Sequence, residues 1–323
     1  MTESGDAVAP AETPTPPAAD PGAGIEPESS LPPAGVGAVK MSLAEMTTRL
    51  GELTGSDVGS FETRYRQFVT TASVEIGNTA LYDQLTFLQQ DLEAQLLLGK
   101  IRGVDVWANG DAGFKVVSKS WNSFVDKLYR VNFEENNRGD QPPRIRSVQE
   151  QAARCAAEDA ANREWVTPDR GHTFIDDLIR TKFVLPFADG VVRASDRVTE
   201  VARSLDLQTY RRYHAKDSGY HAHHVYVIVP VPGYEEGTET EIAFEVKLLT
   251  KLQDNLGELT HLLYEYKRTG QIAPLKKRSL AWLFESTDFN ASYLGHTAHY
   301  LEAALVRLKT ELAEIGDDEN AEP

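Results

Sequence analysis

Glu245 is the residue whose place in the sequence points most directly to chemistry. It lies in the segment from Phe244 to His261, FEVKLLTKLQDNLGELTH, which is predicted to begin as a strand and continue as a helix. A carboxylate inside a sheet is costly to bury unless it is paired or has a function. Glu245 is therefore predicted either to form an ion pair, with Lys182 or Lys247, or to act in catalysis or metal binding.

A second candidate site residue is Tyr220, in the motif KDSGYHAHH that runs from Lys216 to His224. The motif precedes the apolar segment VYVIVPV, so Tyr220 is predicted just after a turn at Gly219 and at the rim of a sheet. Aromatic rings in such positions stack well on purine bases. The pattern favours a nucleotide-binding role, and packing within the sheet is the alternative.

The histidines of this motif are not predicted to bind a transition metal. In a strand, His221 and His223 face one side of the sheet and His224 faces the other. The sequence has one cysteine and no HExxH motif, so it lacks the usual ligand patterns of such a site.

The composition is that of an ordinary globular protein. Of the 323 residues, 41% are hydrophobic and 25% are charged. There is no run of eighteen apolar residues, and the N-terminus lacks the basic start and apolar core of a signal peptide. The single cysteine, Cys155, cannot form an internal disulfide, which is typical of a reducing compartment. We therefore expect a cytoplasmic protein with no membrane segment.

The net charge of −16 is concentrated at the two ends of the chain. Residues 1–39 and 311–323 each carry six acidic and no basic residues, which leaves a net charge of only −4 between them. Such a body has no strong field for non-specific nucleic-acid binding. Small anionic ligands are favoured, and Arg211, Arg212 and Lys216 form a local basic cluster able to hold phosphates.

Strand-like segments lie between helical ones, which predicts an α+β fold: a mixed β-sheet core flanked by N- and C-terminal helices. The predicted parts are a disordered Pro/Ala-rich tail (1–38), N-terminal helices (39–100), a core (101–270) with an insertion (about 130–170), C-terminal helices (271–313) and an acidic tail (314–323). Within the core, the predicted strands are 103–107, 114–119, the end of 174–187, 220–231 and 239–248. The predicted helices are 120–129, capped by Ser120, then 148–164, 196–205 and 252–266, and a last helical part covers 279–312.

Four motifs resemble, in order, those of the synthetase domain of the RelA/SpoT family, the pyrophosphokinases that make (p)ppGpp. They are SKSWNSFVDK, IDDLIRTKFV, KDSGYHAHH and FEVKLLTKLQDNLGELTH, and the resemblance covers about residues 114–267. The last motif is the most specific, with matches at Glu245, Thr250, Gln253, Asp254, Glu258 and His261. In the second motif, Asp177 matches the family's aspartate and Lys182 stands in place of its arginine.

The resemblance implies a nucleotidyltransferase-like core that transfers pyrophosphate from ATP to the 3′-hydroxyl of GTP or GDP, with Mg²⁺ as cofactor. It implies that Asp177 and Glu245 hold the metal and that Glu245 also acts as the base. The ATP-binding residues would be Lys119, Ser123, Lys127 and Lys115, and the acceptor-binding residues would be Tyr220, Lys216, His224 and Gly219.

Departures from the family pattern leave three hypotheses for the function. Family arginines fall at Val117 and Leu249, and the family's glutamine falls at Lys247. Either Lys115 replaces the arginine at Val117, or ATP binds differently, or activity is low. Beside the alarmone synthetase, the alternatives are a toxin-type relative that modifies the tRNA 3′ end or an adenine nucleotide, and a degenerate nucleotide-binding module.

Other features narrow or extend these hypotheses. The sequence has no GxxxxGK[ST] loop, which excludes a P-loop kinase, and no His-Asp dipeptide, which argues against the hydrolase domain of long family members.

The apolar residues of the last helical part, at Leu294, Leu301, Leu305 and Leu308, suit either packing on the core or a homo-oligomer formed through the C-terminal helices.

Overall fold

The computed structural model describes residues 41–97, 115–134, 141–153, 163–268 and 286–319. The predicted N-terminal tail, the predicted strand at 103–107, Cys155 and most of the second half of the insertion helix lie outside the described residues. Within them, no helix is long and apolar enough to cross a membrane.

Helices and strands are mixed along the described parts of the chain, with three helices first and three consecutive strands before the last two helices. The helices are α1 (Leu43–Thr54), α2 (Glu62–Gly77), α3 (Ala80–Leu97), α4 (Trp121–Tyr129), α5 (Val148–Ala152), α6 (Ala188–Ser204), α7 (Lys251–Arg268) and α8 (Thr287–Glu319). The strands are β1 (Val117–Ser118), β2 (Ile179–Leu185), β3 (Thr209–Ala215), β4 (His221–Pro232) and β5 (Glu239–Thr250).

The strands form one mixed five-stranded sheet in the order β1-β2-β5-β4-β3. Strands β2 and β5 run parallel, and the other neighbouring pairs are antiparallel. This confirms the predicted α+β fold with a mixed sheet. The long ladder between β4 and β5 places the segment that carries Glu245 in the middle of the sheet.

One face of the sheet is apolar and carries the main core. Phe183, Phe244, Val246, Leu248 and Val227 on this face are buried and form a cluster with apolar residues of α2 and α6. Burial of this area supplies most of the free energy that holds the helical layer on the sheet. The opposite face carries the charged side chains described below.

The N-terminal helices support the segment that leads into α4. Tyr65 of α2 donates a hydrogen bond from its hydroxyl to the carbonyl of Lys119 (2.8 Å), and its ring stacks on Phe124 of α4 with centroids 4.2 Å apart. The predicted cap is confirmed, because the hydroxyl of Ser120 accepts a hydrogen bond from the backbone N–H of Ser123 (3.3 Å).

The structure differs from the sequence prediction at four elements. Helix α5 ends at Ala152, whereas the predicted helix runs to 164, and Arg163 forms an isolated β-bridge with Arg144. Helix α6 begins at Ala188 rather than 196, because buried Val191 and Ala194 extend its apolar stripe toward the N-terminus. Strand β3 was not predicted, since its exposed Arg211 and Arg212 hide the apolar alternation, and an edge strand tolerates such residues. Helix α8 continues to Glu319, so residues 314–319 of the predicted acidic tail are helical.

The buried imidazole of His172 makes stability depend on pH. The ring, 8% exposed, packs edge-on against Phe68 and Tyr234, and burial lowers its pKa from the ordinary 6.5 to about 4. The unfolded chain therefore takes up this proton first as the pH falls, so the stability contributed by the neutral ring is complete above pH 6.5 and is lost progressively toward pH 4. The loss amounts to about 3 kcal/mol. We expect the melting temperature to fall between pH 7 and pH 5, and a His172→Asn variant that kept the full pH dependence of the wild type would contradict this.

Candidate active site

The second face of the sheet gathers charged and aromatic side chains from four strands, and we call it the polar face. Strand pairing sets Arg180 of β2 opposite Glu245 of β5, and Glu245 opposite Tyr226 of β4. The next row along the strands consists of Lys182, Lys247, His224 and Arg212, which are opposite one another in register. Four cationic or ionisable groups thus form a line beside one buried carboxylate.

Glu245 contacts an imidazole rather than a lysine. Its side chain is in a residue only 5% exposed, and its Oε1 lies 3.1 Å from Nδ1 of His224. The other ring nitrogen of His224, Nε2, lies 3.0 Å from the hydroxyl of Tyr220. Lys182, one of the two predicted ion-pair partners, instead donates to Asp254 of α7 (2.8 Å). A chain of contacts therefore runs from Tyr220 through His224 to Glu245.

Asp177, the second predicted catalytic residue, lies in the turn before β2. Its Oδ2 accepts a hydrogen bond from Nζ of Lys119 (2.6 Å), while its Oδ1 is buried with no hydrogen-bond partner among the described residues. Burial alone would raise the pKa of Asp177, but the ammonium of Lys119 outweighs it and the pKa is lowered. Asp177 is therefore a carboxylate at neutral pH, and one of its two oxygens is paired with Lys119.

The neighbouring Asp176 belongs to the same acidic group. It pairs with Arg212 of β3 (2.7 Å). Burial raises the pKa of Asp176, Arg212 opposes this, and the nearby charges of Asp177 and Glu245 raise the pKa further. Electrostatic coupling of Asp176 to both predicted catalytic acids indicates that the three carboxylates lie in one region of the polar face.

The predicted ATP-binding residues differ in how closely they approach this acidic group. Lys119 is buried and occupied by Asp177, and the charge of Lys127 on α4 acts on the pKa values of both aspartates. Ser123 lies in the first turn of α4, where its hydroxyl accepts a hydrogen bond from Ser120 (3.0 Å). Lys115 is exposed ahead of β1. The structure thus brings Lys119 and Lys127 to the aspartates and leaves Lys115 at the margin.

Sequence reasoning missed Arg180. Arg180 of β2 is paired with Val117 of β1 on one side and with Glu245 of β5 on the other. Val117 is the position at which the family pattern has an arginine. Its guanidinium is 47% exposed, and Nη1 lies 4.0 Å from Oδ2 of Asp177. The period-two pattern of β2 could have placed Arg180 and Lys182 on one face. The pairing of β2 with both β1 and β5 was needed to place Arg180 beside Glu245 in the sheet.

Tyr220 lies on the polar face at the end where β2 and β5 finish. Its ring packs on the small apolar cluster of Val184, Ala222 and Leu249. The ammonium groups of Lys247 and Lys216 lie 4.9 Å and 5.6 Å from the ring centroid. Burial lowers the pKa of Lys247, and Glu245 opposes that shift. An aromatic ring flanked by two cations suits a base that carries phosphates.

The turn before Tyr220 and the helix after Glu245 are both held locally. Gly219 has φ of 79°, a left-handed conformation that glycine adopts without strain, which agrees with the predicted turn. At the other end, Thr250 accepts a hydrogen bond from the backbone N–H of Gln253 (3.1 Å). This cap explains why strand β5 gives way at once to α7.

Helix α5, in the predicted insertion, packs beside Tyr210, Tyr226 and Arg212 of the polar face. Val148 of α5 packs with Tyr210 and Tyr226, and Gln151 contacts the guanidinium of Arg212. The described part of the insertion therefore lies near Asp176, the partner of Arg212.

The acidic residues fit a magnesium ion better than a transition metal. Among the described residues, no group of three or more His, Cys, Asp or Glu side chains is arranged to hold a metal. Magnesium usually takes one or two protein carboxylates and completes its shell with water and substrate phosphates. The unpartnered Oδ1 of Asp177 and the carboxylate of Glu245 are ligands of that kind.

Comparison with known proteins adds a likeness in fold. No protein-family model and no curated protein sequence matches the chain. The chain is similar in structure to small alarmone synthetases. One is the small alarmone synthetase 1 of Bacillus subtilis bound to its product pppGpp, with 14% identity, a TM-score of 0.44, and coverage of 73% of this chain and 95% of that one. Another structure of that synthetase has 16% identity and a TM-score of 0.44, with coverage of 79% of this chain and 97% of that one. A GTP pyrophosphokinase family protein of Streptococcus pneumoniae has 14% identity and a TM-score of 0.43, with coverage of 75% of this chain and 95% of that one.

These solved structures are similar to the chain in fold. At these identities and TM-scores the likeness concerns the fold alone.

Proposed function

We propose that the protein is a pyrophosphokinase that transfers pyrophosphate from ATP to the 3′-hydroxyl of GTP or GDP. The observation that supports this most is the contact chain from Tyr220 through His224 to Glu245. It connects an aromatic ring suited to a base with a buried carboxylate suited to proton transfer.

Glu245 is the proposed general base. A carboxylate with one oxygen in contact with a neighbouring side chain can still use its other oxygen for a substrate hydroxyl. His224 holds Oε1 of Glu245 from one side, so the second oxygen is the one available for the ribose 3′-hydroxyl. His224 is itself held by Tyr220, which ties the orientation of the base to the acceptor site.

The cations of the polar face suit the charge of two polyphosphate chains. Phosphoryl-type transfer depends mainly on positioning and on neutralising the charge of the transferred group. Arg180 and Lys127 lie near the acids, and Lys216 and Lys247 flank the ring of Tyr220. We assign the first pair to ATP and the second pair to the acceptor nucleotide.

Magnesium is the proposed cofactor, held by Asp177 and Glu245. When bound, it would neutralise phosphate charge beside the transferred group. Lys119, which now pairs with Asp177, would then be available to a phosphate oxygen. These assignments follow from the unpartnered oxygen of Asp177 and from the ligand preference of the ion.

The proposal is tested by labelled transfer. The purified protein is incubated with γ-labelled ATP and Mg²⁺, and GTP, GDP, unlabelled ATP or deacylated tRNA is supplied in turn as acceptor. Label is expected on GTP or GDP, with none on 3′-deoxy-GTP and none after EDTA treatment. Label on tRNA or on an adenine nucleotide would replace the proposal with the toxin-type alternative. No label on any acceptor would favour a binding module without turnover.

Self-association through the C-terminal helices stays a prediction. Leu294, Leu301, Leu305 and Leu308 of α8 are each about half exposed, so they are not part of the buried core formed by the described residues. An exposed apolar stripe of this kind is typical of a helix that packs against a partner.

A further inference from the structure

Helix α8 crosses the loop before Tyr220 at a contact between two glycines. A Cβ on Gly295 of α8 would lie 2.4 Å from the carbonyl oxygen of Gly219, and a Cβ on Gly219 would lie 2.8 Å from Cα of Gly295. Both distances are well below van der Waals contact. The backbones of the helix and the loop therefore touch directly, and only glycine at both positions allows this approach.

Hydrogen bonds fasten the same contact from both directions. The hydroxyl of Ser292 on α8 donates to the carbonyl of Asp217 in the loop (2.5 Å). The side-chain amide of Gln253 on α7 donates to the carbonyl of Gly295 (3.2 Å). The loop is thus held by α8, and α8 is held by the helix that follows Glu245.

The residue after Tyr220 is held by α8 as well. The ring of His221 stacks on His299 with centroids 4.0 Å apart and nearly parallel planes. Its Nε2 lies 3.2 Å from Nδ1 of His296. Asp217 and Gly219 before Tyr220, and His221 after it, are therefore all in contact with one helix.

The loop is closed by its own hydrogen bonds. The backbone N–H of Lys216 donates to the carbonyl of Tyr220 (3.0 Å), and that of Gly219 donates to the carbonyl of Lys216 (2.8 Å). A shift of α8 against Gly219 would consequently displace the ring of Tyr220 rather than be absorbed within the loop.

We infer that α8 is a positioning element of the acceptor site, in which Gly295 and Ser292 set the place of the Tyr220 ring on the polar face. This role rests on the proposed function, in which Tyr220 binds the acceptor base. The residues of α8 act through the loop and are not themselves assigned a contact with substrate.

The test is a Gly295→Ala variant with Gly257→Ala as its matched control. Gly257 lies in α7, and a Cβ there would meet nothing within 4 Å, so the same substitution is made in a helix without a clash. For Gly295→Ala we expect the KM for GTP or GDP to rise on the order of tenfold to a hundredfold, since small misplacements of a binding group have effects of that size. The KM for ATP should change less than about twofold, and Gly257→Ala should match the wild type in both.

A second variant covers the case in which Gly295→Ala does not fold, as judged by its melting temperature. Ser292→Ala adds no atoms and removes only the hydrogen bond to Asp217, so it should fold and raise the acceptor KM by a few-fold. Equal changes in both KM values, or no change in either, would overturn the role of α8.

Calorimetric titration with GDP separates this inference from the proposed function. If the wild type binds GDP and Gly295→Ala binds it as tightly, only the role of α8 is overturned. If the wild type itself does not bind GDP, the proposed function fails and this role fails with it.

Discussion

A Glu245→Gln variant is expected to lose about a hundredfold to ten-thousandfold in the rate of pyrophosphate transfer, the usual contribution of a general base. Glutamine has the same shape and can keep the contact with Nδ1 of His224, which lies 3.1 Å from Oε1. It cannot take up the proton of the 3′-hydroxyl, and a neutral amide is a weaker ligand for Mg²⁺. Single-turnover transfer from labelled ATP at saturating acceptor measures this loss.

The loss should not come from unfolding. Glu245 is in the middle of the sheet and only 5% exposed, and a neutral side chain is easier to bury than a carboxylate. We therefore expect an unchanged or raised melting temperature for Glu245→Gln. Glu239→Gln, the same substitution at an exposed position of the same strand, is the control and should transfer at the wild-type rate. Full activity in Glu245→Gln would remove the base assignment.

An Arg180→Gln variant is expected to raise the KM for ATP about tenfold to a hundredfold. Hydrogen bonds between charged groups are worth about 1.5–3 kcal/mol, and a guanidinium forms a paired contact with phosphate that glutamine cannot replace. Arg180 lies beside Glu245 and 4.0 Å from Asp177, where the ATP phosphates are proposed to bind. Steady-state kinetics with ATP varied at fixed acceptor measures the effect.

Two further variants show whether the effect belongs to this position. Arg197 on α6 is exposed on the side of the apolar face, so Arg197→Gln should behave as the wild type. Lys182, which the sequence comparison set in place of the family arginine, pairs with Asp254, so Lys182→Gln should change the KM for ATP less than Arg180→Gln does. The reverse order would show that Lys182 rather than Arg180 contacts the donor phosphates.

Much of the candidate site could be predicted because its parts are local in sequence. Glu245 in a strand that turns into a helix, and Tyr220 after a glycine turn, follow from hydrophobic periodicity and turn chemistry within a few residues. The separation of His221 and His223 from His224 follows from the period of two in a strand. In each case the physical cause lies within one element.

Contacts between distant segments could not be predicted in this way. The pairing of β2 with both β1 and β5 decides that Arg180, and not Lys115 or Lys182, lies beside Glu245 in the sheet. Strand β3 was not predicted, because its charged residues are tolerated at a sheet edge. The pairing of Arg212 with Asp176 was therefore not predicted either.

The sequence by itself determined the α+β fold, the strand position of Glu245 and the turn before Tyr220, because short-range periodicity and backbone preference control these features. The tertiary structure alone decided that His224 connects Tyr220 to Glu245. It also decided that Arg180 lies opposite Val117 in the neighbouring strand, and that Gly295 lies against Gly219. These contacts join separate elements, and they depend on register and on the crossing of helices, which no local pattern records.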